Sequence, residues 1–218
     1  MLSHAAATAL LAASGIPLPA QRLVRTAEEA VHAAAEIGGA VALKCISAAY
    51  THKIDAGLVR LDLRNSVEVR AAAAELLEIL SVGEPFEGLL VQSMVTGGRE
   101  AILGALVDPQ FGPLIALGPG GTMVETIDRV DFLRPPFDQL QAELFIERNA
   151  LAPFLAGGRG RKPSDKDALA SALLALAGLI VDHHGEIQSI DINPLAVLEG
   201  SRGVVALDYR IEEGSPCR

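Results

Sequence analysis

Two polar side chains near the end of the chain have the types and the setting of a hard-metal site. Asn193 ends an alternating apolar and polar segment before Pro194, and Asp208 ends a β-branched segment that follows the polar turn 199–203. The pattern predicts a two-stranded hairpin whose first strand loosens at Pro194, because proline cannot donate to a ladder. An amide oxygen facing a carboxylate suits Mg²⁺, which keeps several waters and takes further ligands from nucleotide phosphates. The alternative is that Asn193 caps a turn and Asp208 is a surface acid, which is a common arrangement.

A single cation, Lys44, lies inside the apolar segment 41–46, which is predicted to form a buried strand. An isolated ammonium group in such a strand is costly unless it has an anionic partner, and a nucleotide phosphate is one such partner. The alternative is an edge strand from which the Lys44 side chain extends to water. The residue types alone leave both interpretations open.

Predicted helices and a glycine pair precede and follow these residues along the chain. Thr26 and Glu29 have the spacing of a capping box at the start of a helix. A glycine pair, Gly97 and Gly98, separates two predicted strands and suits a hinge between subdomains, because glycine absorbs backbone turns at little steric cost. The predicted helices cover residues 3–14, 27–37, 66–80, 137–149 and 165–183, and the strands that flank the hinge cover 89–95 and 99–104.

Composition excludes several classes of function. With 218 residues the chain is long enough for one large domain or two small ones. A net charge of −9 and the absence of tryptophan argue against a nucleic-acid partner, which requires a basic face and stacking groups. No apolar run is long enough to span a membrane, and the first residues lack the basic region of a signal peptide. Two cysteines are too few for a disulfide framework, so a reducing cytoplasm is expected.

Several segments, in the same order along the chain, resemble the ATP-grasp domain of the ADP-forming acyl-CoA synthetases, the family that includes the β subunit of succinyl-CoA synthetase. The segments are Gly-Ile-Pro-Leu-Pro, Thr-Ala-Glu-Glu-Ala, Leu-Lys-Cys-Ile-Ser, His-Lys-Ile-Asp, Asp-Ile-Asn-Pro-Leu and Ala-Leu-Asp. The resemblance runs from about Leu10 to Ile211. It implies an α+β ATP-grasp fold, with an N-terminal subdomain over 1–95 and a C-terminal subdomain over 96–218 that clamp a nucleotide.

The resemblance also implies roles for residues that would hold ATP and Mg²⁺. Asn193 and Asp208 match the family's magnesium ligands, and Lys44 matches the lysine that contacts the ATP phosphates. Glu100 matches an acid that the family retains beyond the hinge. The hinge that binds adenine in the family corresponds to Gln92, Ser93, Met94 and Val95, where Ser93 replaces a glutamate.

Two further segments match places where the family handles a phosphoryl group. His52 lies in a loop that in some relatives carries a second phosphoryl relay, although Ile54 departs from the family pattern there. Gly120 and Gly121 match the glycine pair of a glycine-rich turn that begins at Gly118, and Pro119 departs from the family pattern there. Glu125 matches an acid near the site where a phosphohistidine docks.

The function that the resemblance implies is the nucleotide half of an ADP-forming acyl-CoA synthetase. Such an enzyme converts ATP, a small carboxylic acid and CoA to acyl-CoA, ADP and phosphate through a phosphohistidine. That histidine belongs to a CoA-binding α subunit or a fused domain, and no such portion is recognisable in this sequence. Two other readings stay open: a non-catalytic ATP-grasp-like module that binds a nucleotide or a partner, and another ATP-grasp ligase that uses an acyl phosphate.

Overall fold

The computed structural model describes residues 1–47, 56–80, 86–121, 129–158 and 160–214. The chain divides into two compact units. The larger unit combines Met1–Leu18 with Gly97–Arg218, and the smaller unit is Pro19–Thr96. The division at Thr96 falls next to the glycine pair of the hinge. Residues 1–18, which the sequence-based division places in the N-terminal subdomain, belong to the larger unit because Leu11 and Ile16 are buried in its core.

The smaller unit is a four-stranded antiparallel sheet with two helices on one face. The strands lie in the order β1-β4-β2-β3. Alternate residues of β2 and β4, including Leu43, Cys45 and Val91, pack against the helices and form the core. The elements are β1 (Gln21–Val24), α2 (Ala27–Ile37), β2 (Val41–Ser47), β3 (Val59–Leu63), α3 (Ser66–Leu80) and β4 (Phe86–Ser93).

Side-chain caps determine where both helices of this unit begin. The Thr26 hydroxyl accepts the N–H of Glu29 at 3.2 Å, as predicted, whereas the Glu29 carboxylate accepts the N–H of Arg25 at 2.7 Å. The side-chain amide oxygen of Asn65 accepts a hydrogen bond from the N–H of Glu68 at the start of α3. Arg70 of α3 forms a two-point ion pair with Glu28 of α2, and its guanidinium holds the pKa of that carboxyl below its usual value. A lowered acid pKa stabilises the folded state above the unfolded pKa, and this contribution is lost as the pH falls through the folded pKa.

The larger unit is a six-stranded antiparallel sheet packed against helices. Its strands lie in the order β10-β8-β5-β6-β7, and β9 pairs with the second half of β8. The helix α6, with eight buried residues, covers the centre of the sheet. The elements are α1 (His4–Ala13), β5 (Gly98–Asp108), β6 (Gly112–Pro119), β7 (Asp131–Leu133), α4 (Gln139–Arg148), α5 (Ala152–Leu155), α6 (Lys166–Asp182), β8 (Ile187–Leu198), β9 (Val204–Ala206) and β10 (Tyr209–Glu213).

The core of the larger unit joins one face of its sheet to α1, α4, α5 and α6. Leu103 of β5 and Ile192 of β8 are fully buried in it with Leu11 of α1 and Leu176 of α6. The fully buried Leu, Ile and Val side chains each contribute roughly 1.5 to 3 kcal/mol to folding. Among the described residues, no helix has both the length and the apolar character needed to cross a bilayer.

The extent of strand β8 differs from the prediction. The sequence pattern places the end of this strand at Pro194, but β8 continues from Ile187 through Pro194 to Leu198. The reason lies in the partners of β8. Leu195 and Val197, beyond the proline, pair with both β5 and β9 and are buried, so tertiary pairing outweighs the missing N–H donor. The predicted hairpin with the segment 204–206 is confirmed.

Candidate functional site

Asn193 and Asp208 meet at an irregularity in the larger sheet. Between Ala101 and Leu103, β5 advances by two residues while β8 advances by three, so the Asn193–Pro194 step carries one extra residue. Such a β-bulge is one of the few places inside a sheet that accept proline. The opposite neighbour of β8 breaks at the same level, because β9 ends at Ala206 and β10 begins at Tyr209. Both candidate metal ligands therefore lie at paired breaks in adjacent strands.

Backbone hydrogen bonds connect these two breaks directly. The N–H of Asn193 donates to the carbonyl oxygen of Asp208 at 3.0 Å, and the N–H of Leu207 donates to the carbonyl oxygen of Pro194 at 3.0 Å. The Asn193 side chain is exposed, and it forms no hydrogen bond with another described residue. A carboxylate oxygen of Asp208 accepts the N–H of Tyr209 at 3.1 Å. The pair offers one amide oxygen and one carboxylate, which is the hard-oxygen donor set that Mg²⁺ prefers.

Asp191 lies beside the candidate ligands, and the sequence analysis did not single it out. It precedes Asn193 by two positions in β8, so both side chains stand on the same face of the sheet, opposite the buried Ile190 and Ile192. Its cross-strand neighbours are Gly104 of β5 and Arg210 of β10. The signal was present in the alternation of the segment, which places a second acid beside the asparagine. The sequence alone does not show that Gly104 lies opposite Asp191, because this depends on the order of the strands in the sheet.

Glu100, Gly120 and Gly121 are brought together by the pairing of β5 with β6. The N–H of Gly120 donates to the carbonyl oxygen of Glu100 at 2.9 Å. A Cβ atom on Gly121 would overlap the Glu100 carboxylate, and Gly121 has a φ of 59°. The two glycines therefore allow the turn after β6 to lie directly on the backbone and the side chain of β5.

Replacing Gly120 by alanine is expected to destabilise the protein, whereas the control Gly178→Ala is expected to stabilise it. A Cβ at Gly120 would lie 2.8 to 3.0 Å from the Ala101 backbone, which cannot give way without moving β5. Gly178 is an exposed position of α6 with open space around it, and Gly→Ala there should add about 0.5–1 kcal/mol of stability. Urea denaturation of both variants measures the effect. Equal midpoints for the two variants would contradict the close packing at Gly120.

Lys44 lies in the interior of the smaller sheet. Its strand β2 is flanked by β4 and β3, so the alternative of an edge strand is wrong and the predicted buried strand is confirmed. Lys44 is only 8% exposed. It pairs with Leu90 and Val59 on the face opposite the helices, since Leu43 and Cys45 point to the helical core. An ammonium group in this position requires anionic or polar compensation.

The predicted hinge residues lie at the end of β4, which pairs with the strand of Lys44 and ends at Ser93, and immediately after it. Gln92 is 2% exposed, and its amide donates to the Gln21 side chain at 3.0 Å. The N–H groups of Ser93 and Met94 are already used, because they donate to the carbonyl oxygens of Ala20 and Ala40. The N–H of Val95 forms no hydrogen bond with another described residue.

The candidate side chains have the same kind of position in both units. In each sheet the helices cover one face, and the candidate side chains stand on the other. That second face carries Lys44 and Gln92 in the smaller unit, and Glu100, Asp191 and Asn193 in the larger one. His52 and Glu125 lie outside the described residues. Among the described residues there is no cluster of three or more His, Cys, Asp or Glu that could hold a metal ion.

Comparison with known proteins defines the class to which this fold and these residues belong. Residues 1–212 match the model of a protein family described as an ATP-grasp domain. The chain belongs to this ATP-grasp family. The mixed α and β fold that the resemblance implied is thereby confirmed.

Named relatives identify the group of ATP-grasp proteins that this chain resembles. The chain is 36% identical over 205 residues to the β subunit of acetate–CoA ligase (ADP-forming) II from Pyrococcus furiosus, and the match covers 93% of this chain and 87% of that subunit. It is 38% identical over 205 residues to 4-hydroxybutyrate–CoA ligase (ADP-forming) from Nitrosopumilus maritimus, of which it spans only 29%. The resemblance to the β-subunit type of ATP-grasp domain in ADP-forming acyl-CoA synthetases is confirmed.

A solved structure of an acyl-CoA synthetase is similar to this chain in both sequence and fold. The chain has 36% sequence identity and a TM-score of 0.82 to a chain of acetyl-coenzyme A synthetase 1 from Candidatus Korarchaeum cryptofilum, with 98% of this chain and 92% of that chain covered. That enzyme was crystallised with coenzyme A and Mg-AMPPCP, and its phosphohistidine segment points towards the nucleotide-binding site.

Proposed function

We propose that this chain is the nucleotide-binding part of an ADP-forming acyl-CoA synthetase, which uses ATP to phosphorylate a histidine of a CoA-binding partner. The observation that carries the proposal is the meeting of Asn193 and Asp208 at paired breaks in β8 and between β9 and β10. The backbones of the two residues are hydrogen-bonded to each other, and the Asn193 side chain is exposed there. Named relatives with this domain are ligases that form ADP.

Asn193 and Asp208 would hold Mg²⁺ through one oxygen each. When bound, the metal offsets negative charge on the phosphates. Two protein ligands leave the remaining positions to water and to phosphate oxygens, which is how Mg²⁺ is commonly held in phosphoryl-transfer enzymes. Asp191, on the same face of β8, adds a second carboxylate beside this pair.

Lys44 would contact the ATP phosphates. Its burial strengthens any interaction with an anion, because the local dielectric constant is lower than in water. Its place in an interior strand fixes the position of the side chain, so little conformational entropy remains to be lost on binding. The Lys44 ammonium would stabilise negative charge on the transferred phosphoryl group.

Val95 is the hinge residue best suited to recognise adenine. The N–H groups of Ser93 and Met94 are occupied by Ala20 and Ala40, so the N–H of Val95 would donate to a ring nitrogen. Gln92, whose amide is buried against Gln21, would support the hinge rather than contact the nucleotide with its side chain. Glu100, Gly120 and Gly121 would form the wall of the site beyond the hinge.

The partner would supply the remaining chemistry. In the relative from Nitrosopumilus maritimus the matched segment is 29% of a longer ligase, and in the relative from Pyrococcus furiosus it is most of a separate β subunit. We infer that a CoA-binding α subunit or fused domain carries the phosphohistidine and binds CoA and the small carboxylic acid. His52 and Glu125 are proposed to contact the phosphoryl group when that partner is docked.

A phosphoryl-transfer assay tests the proposal. The chain is mixed with the CoA-binding protein encoded in the same genome and with ATP labelled at the γ-phosphate. The expected result is an alkali-stable, acid-labile label on a histidine of the partner, which CoA and a small acid then discharge. A chain that binds ATP but transfers no label to any CoA-binding partner would support the non-catalytic module instead. Label released as an acyl phosphate without a phosphohistidine would support another ATP-grasp ligase.

A further inference from the structure

The N-terminal segment, defined here as residues 1–17, follows the edge of the sheet that carries Asp208. The N–H of Leu2 donates to the carbonyl oxygen of Ile211 in β10 at 2.9 Å, and the N–H of Ala206 in β9 donates to the carbonyl oxygen of Pro17 at 2.9 Å. These bonds hold the segment at both ends of the β9–β10 junction. Leu11, fully buried between them, anchors α1 in the core of the same unit.

A side-chain contact joins the middle of this segment to the junction itself. The hydroxyl oxygens of Thr8 and Tyr209 lie 2.6 Å apart. The Thr8 hydroxyl has one hydrogen, which it donates to the carbonyl oxygen of His4 at 2.7 Å. The Tyr209 hydroxyl is therefore the donor, and Thr8 is the acceptor. The His4 ring stacks on the Tyr209 ring, with centroids 5.2 Å apart and an interplanar angle of 17°.

Tyr209 is also bonded to the candidate metal ligand. Its backbone N–H donates to a carboxylate oxygen of Asp208 at 3.1 Å, and its Cα partner across the sheet is Ile192, the residue before Asn193. A displacement of Tyr209 would therefore move the Asp208 carboxylate and the start of the Asn193 bulge together. Groups that hold a metal ligand in this way commonly determine its orientation and the affinity of the site.

We propose that Tyr209 is a positioning residue for the metal site, and that Thr8 and His4 of α1 hold it in place. The N-terminal helix thereby orients the Asp208 carboxylate without contacting the nucleotide. This inference rests on the proposed function, because it requires that Asp208 bind the metal. It adds a residue and an element that the sequence motifs of the site do not include.

The test compares Tyr209→Phe and Thr8→Val with the control Ser171→Ala. The first variant removes the donor and the second removes the acceptor of the same hydrogen bond. Ser171→Ala removes one hydroxyl hydrogen bond from α6, in the same unit but without a bond to the β9–β10 junction. For each variant, Mn²⁺ affinity at saturating ATP is measured by electron paramagnetic resonance, together with ATP affinity without metal and the urea midpoint.

We expect Tyr209→Phe and Thr8→Val to weaken Mn²⁺ binding about tenfold, at the lower end of the effect of outer-sphere substitutions. ATP affinity without metal should stay at the wild-type value, which a general loss of stability would not produce. Ser171→Ala should match the wild type in metal affinity. Metal affinities that are equal in Tyr209→Phe, Thr8→Val and Ser171→Ala would overturn the inference.

Asp208→Ala separates this inference from the proposed function. If Asp208→Ala abolishes metal-dependent binding while Tyr209→Phe and Thr8→Val leave it unchanged, only the positioning role is wrong. If Asp208→Ala also leaves metal binding unchanged, the proposed metal site itself is wrong.

Discussion

The double variant Asn193→Ala/Asp208→Ala is expected to lose the magnesium dependence of ATP binding. Its ATP affinity with Mg²⁺ should fall to the value that the wild type shows without metal. In the complete enzyme the rate of phosphoryl transfer should fall about 10³-fold, because a metal ion supplies several kcal/mol of charge stabilisation in the transition state. The bonds between the two strand breaks are made by backbone atoms and remain after truncation, so the fold should be kept, with a lower urea midpoint from the lost hydrogen bond between the Asp208 carboxylate and the N–H of Tyr209.

Asp182→Ala is the matched control for this prediction. Asp182 is an exposed carboxylate at the end of α6, and its removal changes the net charge by the same amount as Asp208→Ala. Calorimetric titration with ATP, with and without Mg²⁺, should show the wild-type difference for Asp182→Ala and none for the double variant. A double variant that retains a magnesium-dependent increase in affinity would contradict the assignment of Asn193 and Asp208.

Lys44→Met is expected to weaken ATP binding. Loss of a buried cation that contacts phosphate should cost about 100-fold in ATP affinity, in the range measured when one partner of a buried charge pair is removed. Methionine has a similar length and fills the space of a side chain that is 8% exposed, so the fold should be kept. A loss of ATP affinity in a variant that still unfolds cooperatively in urea distinguishes a binding residue from a structural one.

Lys162→Met provides the comparison for Lys44. Lys162 is exposed and lies in the basic loop before α6, so its substitution should leave both ATP affinity and the urea midpoint near the wild-type values. Fluorescence titration with a labelled ATP analogue and urea denaturation measure the two quantities. If Lys44→Met binds ATP as tightly as the wild type, the proposed role of Lys44 is wrong.

Local features of the chain were predictable because they depend on residues that are close in sequence. The Thr26 cap and the existence of a strand around Lys44 each follow from short-range patterns that the structure reproduces. The hairpin between β8 and β9 was predictable for the same reason, since a polar turn joins two apolar segments.

Other features depend on contacts between distant parts of the chain. The continuation of β8 beyond Pro194 depends on pairing with β5, and the sequence near the proline does not encode that pairing. The placement of α1 in the larger unit depends on the burial of Leu11 among side chains of β5, α6 and β8, which are distant in sequence. The position of Asp191 opposite Gly104 likewise depends on the pairing of β8 with β5.

The candidate site was predicted mainly through resemblance to a family, and physical reasoning from residue types left each position open. Asn193 with Asp208 has an ordinary alternative as a turn and a surface acid, and the structure adds that the backbones of the two residues meet at paired strand breaks. The side chain of Gln92, by contrast, is buried against Gln21. A sequence motif identifies a segment, whereas the fold shows which of its polar atoms are already hydrogen-bonded within the protein.

Calorimetric titration of the intact chain with ATP, in the presence and in the absence of Mg²⁺, decides whether this chain binds Mg-ATP through Asn193 and Asp208. We expect one ATP bound per chain, with clearly higher affinity when Mg²⁺ is present and with the difference lost in Asn193→Ala/Asp208→Ala. If a well-folded chain binds no ATP at millimolar concentration, or binds it equally well with and without Mg²⁺, the proposed Mg-ATP site is wrong.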